Sequence, residues 1–524
     1  VVVHDGRLVV SDVTGDEPRE LARVDTPMRT ADELLLVGEH VVLLGGDAPV
    51  ASPGAGQSAD GQPGTGPRKE PGGVVGPGGG RGPAGGGIVP GEYSPRTRLT
   101  TVDLSDPSDP HVIGSRSVDG SYVTAREHDG TVRVVVGTQP RLPFVHPRKG
   151  VSPDEAEASN RELVRHSSAR DWLPSVHDAG GGSEPLLRCS DVRRPHDPSG
   201  LATTTVLTLD PEAPAHPEAD AVVADGSLVY ASTGRLYVAT TAGGRWEWSA
   251  RTEMTDPQRR STQVHAFDTA GDDTSYVASG TVRGTVPDRW ALSERDGRLR
   301  VASMRGDPWQ PSGTTVSVLE EEGDRLDVVG SVGGMGETEQ IRAVRWFGDV
   351  AVVVTFRQTD PLYTLDLSDP TNPRIAGELK MRGFSAYLHP VGGDLLLGVG
   401  QDATGSGRQT GSQLASFDLS DLSGPTRVDR LALGAHGYSP VEQDSRAFTY
   451  LPGRRLVFVP VLPASGTAPH VLVARVGKDG GLAPVESLPA SGPLQRVRSL
   501  PVDGGRVAIV ADGAVRRIVD PGRW

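Results

Sequence analysis

The sequence predicts an all-β protein built from one four-stranded sheet that is repeated along the chain. Three observations lead to this prediction. Short runs in which every second residue is apolar recur throughout the 524 residues. Turn-forming residues interrupt these runs at intervals of roughly six to ten residues, as in antiparallel sheets. The composition includes 68 Gly and 43 Pro, an excess of turn formers that suits a chain divided into short strands.

The clearest copy of the repeated unit runs from Ile341 to Gly400. It contains four short runs rich in Val, Ile, Leu and aromatic residues. Gly348 and Asp349 form a turn between IRAVRW and VAVVVTF, and the segment SDPTNP separates LYTLDL from RIAGEL. The prolines of that segment would break any helix. The unit therefore predicts an antiparallel four-stranded sheet.

Two apolar runs joined by a turn occur eight times, and each pair predicts a β-hairpin. Their turns carry residues that adopt positive φ at low cost, such as Asp129 with Gly130 and Gly504 with Gly505. The hairpins cover residues 33–46, 124–138, 227–241, 289–303, 341–356, 385–400, 447–461 and 496–511.

Most hairpins are followed by a third strand that ends in Asp and then by a fourth strand. Examples of the third strand are TVDLSD, VLTLD and YTLDLSD, and RIAGELKM is an example of the fourth. Repeated four-stranded sheets at this spacing indicate a β-propeller, in which neighbouring sheets cover each other's apolar faces. We predict one propeller domain over residues 1–524 with eight blades, while seven blades remain an alternative.

The two ends of the chain are expected to complete one blade together. The N-terminal runs RLVVSDV and RELARV have no hairpin before them, and the C-terminal segment that begins at Arg496 lacks a full outer strand. Joining these strands in a shared blade would close the ring and leave no open sheet edge between the ends.

Two insertions depart from the repeat. Residues 47–96 are mostly Gly, Pro, Ala and Ser with few large apolar residues, which predicts a disordered loop. Residues 139–202 contain Ser152, Pro153 and Glu155 in the pattern of a capping box, which predicts a polar helix that runs to about Arg170. We expect this second insertion to be a partly helical flap.

Composition limits the partners and the compartment. The formal net charge of −14 disfavours a general attraction to nucleic acid or anionic lipid, so we expect no nucleic-acid partner. No apolar run reaches the roughly 18 residues that a membrane span requires. The chain opens at Val1 inside a strand-like run, and we expect that an upstream segment, in which any signal peptide or anchor would lie, has been removed. The single cysteine, Cys189, is expected to be a small buried residue rather than a reactive thiol.

Several segments resemble a known family of propellers. Residues 274–286, 296–303, 336–370 and 382–390 are similar to secreted bacterial proteins with a C-terminal β-propeller domain, a family distantly related to WD40 repeats. The likeness continues more weakly to both ends and excludes the 47–96 loop. The resemblance implies an exported or cell-surface protein with an N-terminal signal or lipid-anchor segment. It implies no substrate and no catalytic residue.

No local motif points to catalysis or to a cofactor. The string from Gly80 to Gly85 matches a dinucleotide-binding fingerprint, but no strand precedes it and no helix follows it, so it indicates a linker. The sequence contains no GxSxG, HExxH or Walker A motif. We therefore predict no catalytic residue, no cofactor and no metal site.

Repeated carboxylates and scattered histidines have structural interpretations. Asp366 and Asp369, in the turn LDLSDP, could offer oxygens to calcium. An Asp before Pro at a strand end more often forms an Asx turn that satisfies backbone N–H groups. His265 and His389 lie in strand-like runs, and we interpret them as packed, hydrogen-bonded residues rather than metal ligands.

The innermost strands of a propeller border its central channel. If the first strand of each hairpin has this position, acidic, basic, hydroxyl and imidazole groups lie near one mouth of the channel, which suits a polar ligand. Alternatively, these groups only satisfy each other around a water-filled channel. The candidate ligand-binding residues are Glu339, Gln340, Arg342, Ser385, Tyr387, His389, Gln495 and Arg496.

Two hypotheses about function follow. The first is a monomeric, non-enzymatic extracellular or cell-surface propeller that binds a protein or polymer. The alternative is an exported hydrolase or lyase that acts on a sugar or phosphate substrate at the channel mouth, since residues from several blades can form a site without a local motif. Two groups among Glu339, Arg342 and His389 with shifted pKa values at one cavity would favour the enzyme.

Overall fold

The computed structural model describes residues 1–28, 31–47, 95–178, 180–214, 217–241, 260–307, 310–357, 360–434, 436–464, 468–490, 492 and 496–524. Nearly all regular structure in these residues is β-strand in antiparallel sheets, so the predicted all-β fold is confirmed. The predicted disordered loop over residues 47–96 lies almost entirely outside the described residues and stays a prediction.

The first part of the chain forms three sheets and the flap. The N-terminal sheet has three strands, β1 (Val2–His4), β2 (Arg7–Asp12) and β3 (Arg19–Asp25). The next sheet contains β4 (Glu33–Val37), β5 (His40–Gly46), β6 (Arg96–Asp103) and β7 (His111–Asp119). The third sheet begins with β8 (Ser121–His128) and β9 (Thr131–Thr138). The flap consists of α1 (Pro153–Arg165), β10 (Ser175–Asp178), β11 (Ser183–Pro185) and β12 (Val192–Arg193). After the flap, β13 (Thr203–Leu209) and β14 (Glu218–Val223) complete the third sheet.

The middle of the chain forms two four-stranded units in one sheet. The first unit contains β15 (Leu228–Ala231), β16 (Arg235–Thr241), β17 (Ser261–Asp268) and β18 (Ser275–Arg283). The second contains β19 (Leu292–Arg295), β20 (Arg298–Asp307), β21 (Gln310–Glu322) and β22 (Arg325–Met335). The two units are joined by a short parallel pairing of β18 with β22.

The C-terminal part continues the repeat. Two sheets contain β23 (Gln340–Phe347), β24 (Val350–Phe356), β25 (Asp360–Asp366) and β26 (Arg374–Met381), followed by β27 (Phe384–Pro390), β28 (Leu395–Ala403), β29 (Gln409–Asp418) and β30 (Thr426–Ala432). A further sheet contains β31 (Thr449–Leu451), β32 (Leu456–Val461), β33 (His470–Val476) and β34 (Leu482–Pro489). The last sheet has three strands, β35 (Arg498–Val502), β36 (Arg506–Ala511) and β37 (Ala514–Val519).

The predicted hairpins are confirmed as antiparallel pairs of the first and second strand of each unit. In every case the first strand lies at one edge of its unit and the strands follow in chain order. The eight pairs are β4–β5, β8–β9, β15–β16, β19–β20, β23–β24, β27–β28, β31–β32 and β35–β36.

The flap extends the outer edges of two neighbouring sheets. Its helix begins with a capping box in which Ser152 accepts a hydrogen bond from the Glu155 backbone N–H, and it ends at Arg165, before the expected Arg170. Strand β10 adds to β7, and β12 pairs in parallel with β14. The prediction that Cys189 is buried is wrong, because its side chain is exposed in the short 3-10 turn of the flap.

Consecutive sheets pack face to face through buried apolar side chains. Val352 and Phe417, for example, belong to one cluster between the β23–β26 and β27–β30 sheets. The two ends of the chain also contact each other. A guanidinium N–H of Arg506 donates to the backbone oxygen of Gly15 over 2.6 Å. Contacts between neighbouring sheets therefore run from the N-terminal sheet to the C-terminal one.

The aspartate-rich turns between the third and fourth strands are Asx turns, as the second interpretation of those residues predicts. A carboxylate oxygen of Asp366 accepts from the backbone N–H of Ser368 over 3.0 Å, and Asp369 does the same for Thr371. Equivalent bonds are made by Asp103, Asp106, Asp418 and Asp421. The side chains of each turn therefore satisfy its own backbone N–H groups.

A repeated contact fixes two of these turns against the outer strand of the preceding unit. A methyl group on Gly330 of β22 would stand 2.3 Å from the Pro370 carbonyl oxygen. A methyl group on Gly377 of β26 would stand 2.3 Å from the Leu422 carbonyl oxygen. Glycine at these positions therefore lets the backbone of one unit reach the outer strand of its neighbour.

We expect Gly377→Ala to destabilise the fold. The added methyl group would overlap backbone that cannot move without shifting the next unit, and overpacking of this kind costs about 1 to 3 kcal/mol. The matched control is Gly405→Ala, because nothing lies within 4 Å of a methyl group there. The measurement is the urea midpoint of unfolding, and equal midpoints for the two variants would contradict the proposed contact.

Candidate functional site

The first strands of three units contain a β-bulge at equivalent positions. Val123 in β8, Arg342 in β23 and Ala386 in β27 each have no residue paired opposite them on the second strand. A bulge adds one residue to a strand and so reverses the faces of the residues that flank it. The residues three positions after the bulges are Arg126, Arg345 and His389.

Side chains from these first strands, and from the turns just before them, form what we call the channel cluster. Its members come from five different units, so their contacts bring distant parts of the sequence together at one place. The channel cluster consists of Arg126, Arg289, Trp290, Arg345, Tyr387, His389 and Phe448.

Trp290 is the centre of the channel cluster. It lies in a 3-10 turn just before β19, and its backbone oxygen accepts from the indole N–H of Trp346 over 2.8 Å. The guanidinium carbon of Arg345 lies 4.6 Å from the Trp290 ring centroid, and that of Arg289 lies 5.0 Å away. The Tyr387 ring stands edge-on at 6.3 Å. Cation–π attraction therefore holds two arginines against one indole.

A second aromatic group adjoins Trp290. The hydroxyl of Tyr387 and Nδ1 of His389 are 3.1 Å apart. The ring centroid of Phe448 lies 5.2 Å from that of Tyr387 and 4.8 Å from that of His389. Burial lowers the pKa of His389 to about 4, and the charge of Arg345 acts in the same direction. The imidazole is therefore neutral at pH 7.

Arg289 adjoins two other guanidiniums of the channel cluster, because it lies over the same indole as Arg345 and its charge acts on Arg126. Burial is the main cause that lowers the pKa of Arg126, and the positive charge of Arg289 lowers it further. Burial also lowers the pKa of Arg345. Within the described residues, none of these three arginines forms an ion pair; Arg126 donates to the Thr124 hydroxyl and to the backbone oxygen of Ala125.

Acidic groups nearby are engaged elsewhere. Glu33 accepts from Arg446 over 2.9 Å, and Asp444 contacts Arg446 over 3.1 Å and also pairs with Arg498. Asp288 accepts from the backbone N–H of Trp290 over 2.8 Å, and burial raises the pKa of its carboxyl. The channel cluster therefore has an excess of positive charge that the neighbouring carboxylates offset only in part.

The sequence-predicted candidates divide between the channel cluster and other places. Tyr387 and His389 are brought together in the cluster. Arg342 stacks over Phe384 at 5.2 Å instead, at the bulge of β23, and Glu339 accepts from the Thr355 hydroxyl over 2.6 Å.

The remaining candidates lie outside the contacts that define the cluster. Ser385 is 2% exposed and touches Gly398, because the bulge at Ala386 turns it away from the face of Tyr387. Gln340 begins β23 opposite Phe356. Arg496 is exposed before β35, and Gln495 lies outside the described residues.

Sequence reasoning missed the arginines and Trp290. A signal for two of them was available, because Arg126 stands three residues before the turn residue Asp129 and Arg345 stands three before Gly348. His389 has the same spacing to Gly392. Counting back from each turn would have aligned these positions, whereas strict alternation from the start of each strand does not account for the bulges.

The described residues include neither a metal-binding cluster nor a membrane-spanning helix. In the described ranges, no group of three or more His, Cys, Asp or Glu side chains is arranged to hold a metal ion. The described part of the chain likewise includes no helix with the length and apolar character needed to cross a membrane.

Comparison with known proteins gives one family match and two archaeal relatives. A family model described as a beta propeller domain matches residues 1–501. An uncharacterized protein of Methanocaldococcus jannaschii is 38% identical over 191 residues, 36% of this chain and 29% of that protein. An uncharacterized protein of Archaeoglobus fulgidus is 41% identical over 180 residues, 34% of this chain and 27% of that protein. The matches span less than a third of either relative.

Three solved structures show weaker similarity. A protein from Lactobacillus plantarum has a TM-score of 0.35 at 13% identity, over 60% of this chain and 95% of that one. The periplasmic gluconolactonase of Pseudomonas aeruginosa has a TM-score of 0.36 at 12% identity, over 66% and 91%. A chain of a mitotic checkpoint complex has a TM-score of 0.35 at 13% identity, over 61% and 84%.

We expect His389 to titrate near pH 4 rather than near its ordinary value of 6.5. Because the pKa is lower in the folded state than in the unfolded state, the unfolded state binds the proton first. The stability that His389 contributes above pH 6.5 is therefore lost as the pH falls toward 4. The measurement is an NMR titration of ¹⁵N-labelled histidine, with the His389→Gln variant for assignment. A midpoint near 6.5 would contradict the buried position beside Arg345.

Proposed function

The chain belongs to the beta propeller domain family, and from this premise we propose that it is a ligand-binding propeller whose channel cluster binds an anionic group. The bound group would belong to a protein or polymer, or to a smaller molecule of the same charge. In this proposal the protein is not an enzyme, and the propeller serves to hold arginines from several units around one point.

The observation that carries this proposal is the set of three arginines without ion pairs in the described residues. Arg126, Arg289 and Arg345 are half-buried, and the charge of Arg289 lowers the pKa of Arg126. Like charges held together away from bulk water raise the free energy of the empty site. A bound anion would offset that cost, so the arrangement favours anion binding.

The overall charge of the chain also supports anion binding at the channel cluster. The chain carries a formal net charge of −14, which repels extended polyanions from its surface in general. The channel cluster is a local exception, with positive charge on half-buried side chains. An anionic ligand would therefore be bound at this site rather than over the whole surface.

For the architecture we propose eight blades. Seven four-stranded units begin at β4, β8, β15, β19, β23, β27 and β31. The eighth blade would be formed by the two three-stranded terminal sheets, between which the described residues have no strand pairing. Leu8 packs with Val41 on one side, Phe458 packs with Ile509 on the other, and Arg506 bonds Gly15 between the ends. A shared blade would close the ring without a covalent link.

We also propose that the protein is exported and acts as a monomer at or outside the cell surface. The support is the resemblance of segments such as residues 336–370 to secreted bacterial propellers. The archaeal relatives leave the bacterial part of that resemblance as a proposal.

The second candidate function is a hydrolase or lyase that acts on a sugar or phosphate substrate. The structure does not bring Glu339 and Arg342 to His389. However, Asp288, two residues before Trp290, has a raised pKa, and His389 has a lowered one. A carboxyl group with a raised pKa and a neutral imidazole are groups that acid–base catalysis uses. This combination favours an enzyme more than the residues expected from the sequence do.

We expect Arg345→Gln to weaken anion binding. Removing one guanidinium that forms charged hydrogen bonds should reduce affinity by about tenfold or more. The measurement is the ligand-induced rise in melting temperature across a panel of carboxylate, phosphate and sulfate compounds. Arg427→Gln is the control, because Arg427 is an exposed residue of the outer strand β30. Equal responses in both variants, or no response in the wild type, would contradict the proposal.

The enzyme candidate is tested by turnover. We expect the wild-type protein to show no hydrolysis or elimination on a panel of phosphate esters, glycosides and uronate polymers. Turnover that is lost in Asp288→Asn and retained in Arg427→Gln would replace the binding proposal with the enzyme.

A further inference from the structure

We infer that the group bound by the channel cluster is a tetrahedral dianion, such as the phosphate of a monoester or the free phosphate or sulfate ion. This inference rests on the proposed function, since it specifies the anion that the same site recognises. Three observations support it: the positive charge of the arginines, their origin in three different units, and the stacking of two of them on Trp290.

Charge is the first argument. Arg126, Arg289 and Arg345 have no ion pair in the described residues, and Asp288 is the nearby carboxyl that remains outside the paired Glu33, Asp444, Arg446 and Arg498 network. Burial raises the pKa of Asp288 and so favours its neutral form. The cluster therefore has an excess of two to three positive charges. A single carboxylate would leave part of this excess, whereas a phosphate monoester carries about −1.5 to −2 at neutral pH.

Geometry is the second argument. Arg126 belongs to β8, Arg289 to the turn before β19, and Arg345 to β23, so the three guanidiniums come from three units. A carboxylate is planar and pairs best with one arginine in its own plane. A tetrahedral oxyanion has acceptor oxygens in several directions and can receive donors from all three.

The use of Trp290 is the third argument. Arg289 and Arg345 both lie over the indole, at 5.0 and 4.6 Å from its centroid. Two guanidiniums thus already stack on this indole, which disfavours a ligand that binds by stacking a sugar or aromatic ring on Trp290. Cation–π contacts use the charge of a guanidinium but none of its N–H donors. The contact therefore positions two arginines while their N–H groups stay available to an anion.

Tyr387 and His389 add a neutral partner. The Tyr387 hydroxyl and Nδ1 of His389 are 3.1 Å apart, so Nε2 is the atom that can bond to a ligand. When the Tyr387 hydroxyl donates to Nδ1, the neutral imidazole carries its proton on Nε2 and can donate there without adding another repulsive charge to the arginines. This arrangement suits a ligand that already receives its charge pairing from the guanidiniums.

The test is isothermal titration calorimetry on the full chain at constant ionic strength. The probes are inorganic phosphate, inorganic sulfate, glucose 6-phosphate and the carboxylates acetate and glucuronate. We expect phosphate, sulfate and the phosphate ester to bind, and each to lose about tenfold or more in affinity in Arg289→Gln, whose removed charge would serve the dianion directly. The ratio of affinities for glucose 6-phosphate and inorganic phosphate distinguishes an ester ligand from the free ion.

The pH dependence of the two affinities tests whether the arginines bind the dianion directly, because a purely structural role of these arginines would not change it. The second pKa of a phosphate ester is about 6, so lowering the pH from 7.5 to 5.5 should weaken its binding relative to that of sulfate, which stays a dianion. Equal pH dependence for the two anions would contradict recognition of the dianionic form.

The outcomes separate this inference from the proposed function. Binding of glucuronate without phosphate or sulfate overturns the tetrahedral dianion and leaves anion binding in place. Absence of binding by every probe overturns both. Binding that is unchanged in Arg289→Gln and Arg345→Gln, at melting temperatures equal to that of Arg427→Gln, places the anion elsewhere and also overturns both.

Discussion

The structure depends on close backbone contact between one unit and the next. Glycines in outer strands, such as Gly330 and Gly377, allow the Asx turn of the following unit to lie directly against the sheet. The turn is rigid because an aspartate side chain satisfies its backbone N–H groups, as Asp366 does for Ser368. Each unit thus receives its position from its neighbour at the outside, while apolar side chains fill the space between the sheets.

The channel cluster is a consequence of that spacing. Arg126, Trp290, Arg345 and Tyr387 are far apart in sequence, and each lies on or just before the first strand of its own unit. Fixing the outer strands of successive units brings these first strands together, and the bulges then aim selected side chains at one point. The cluster is therefore assembled from several units, and no short segment of the chain contains it.

The hairpins, the Asx turns and the capping box of α1 could be predicted because each depends on neighbouring residues in the sequence. The positions of side chains in the first strands could not, because a bulge depends on how a strand fits its partner. Alternation grouped Ser385 with Tyr387, but the bulge at Ala386 places them on opposite faces. Alternation from the start of β23 selects Arg342, but the bulge at that residue leaves Arg345 in the cluster. The exposure of Cys189 depends on how the flap lies on the sheets, which local pattern does not determine.

We propose that arginines from separate units converge on one anion site. The most direct measurement is an anomalous difference map from crystals soaked in selenate, a tetrahedral dianion with a strong anomalous signal. We expect a selenium peak from a selenate ion whose oxygens lie about 3 Å from guanidinium nitrogens of Arg289 and Arg345. A well-ordered channel with no peak there, and selenate bound only at the outer surface, would contradict it.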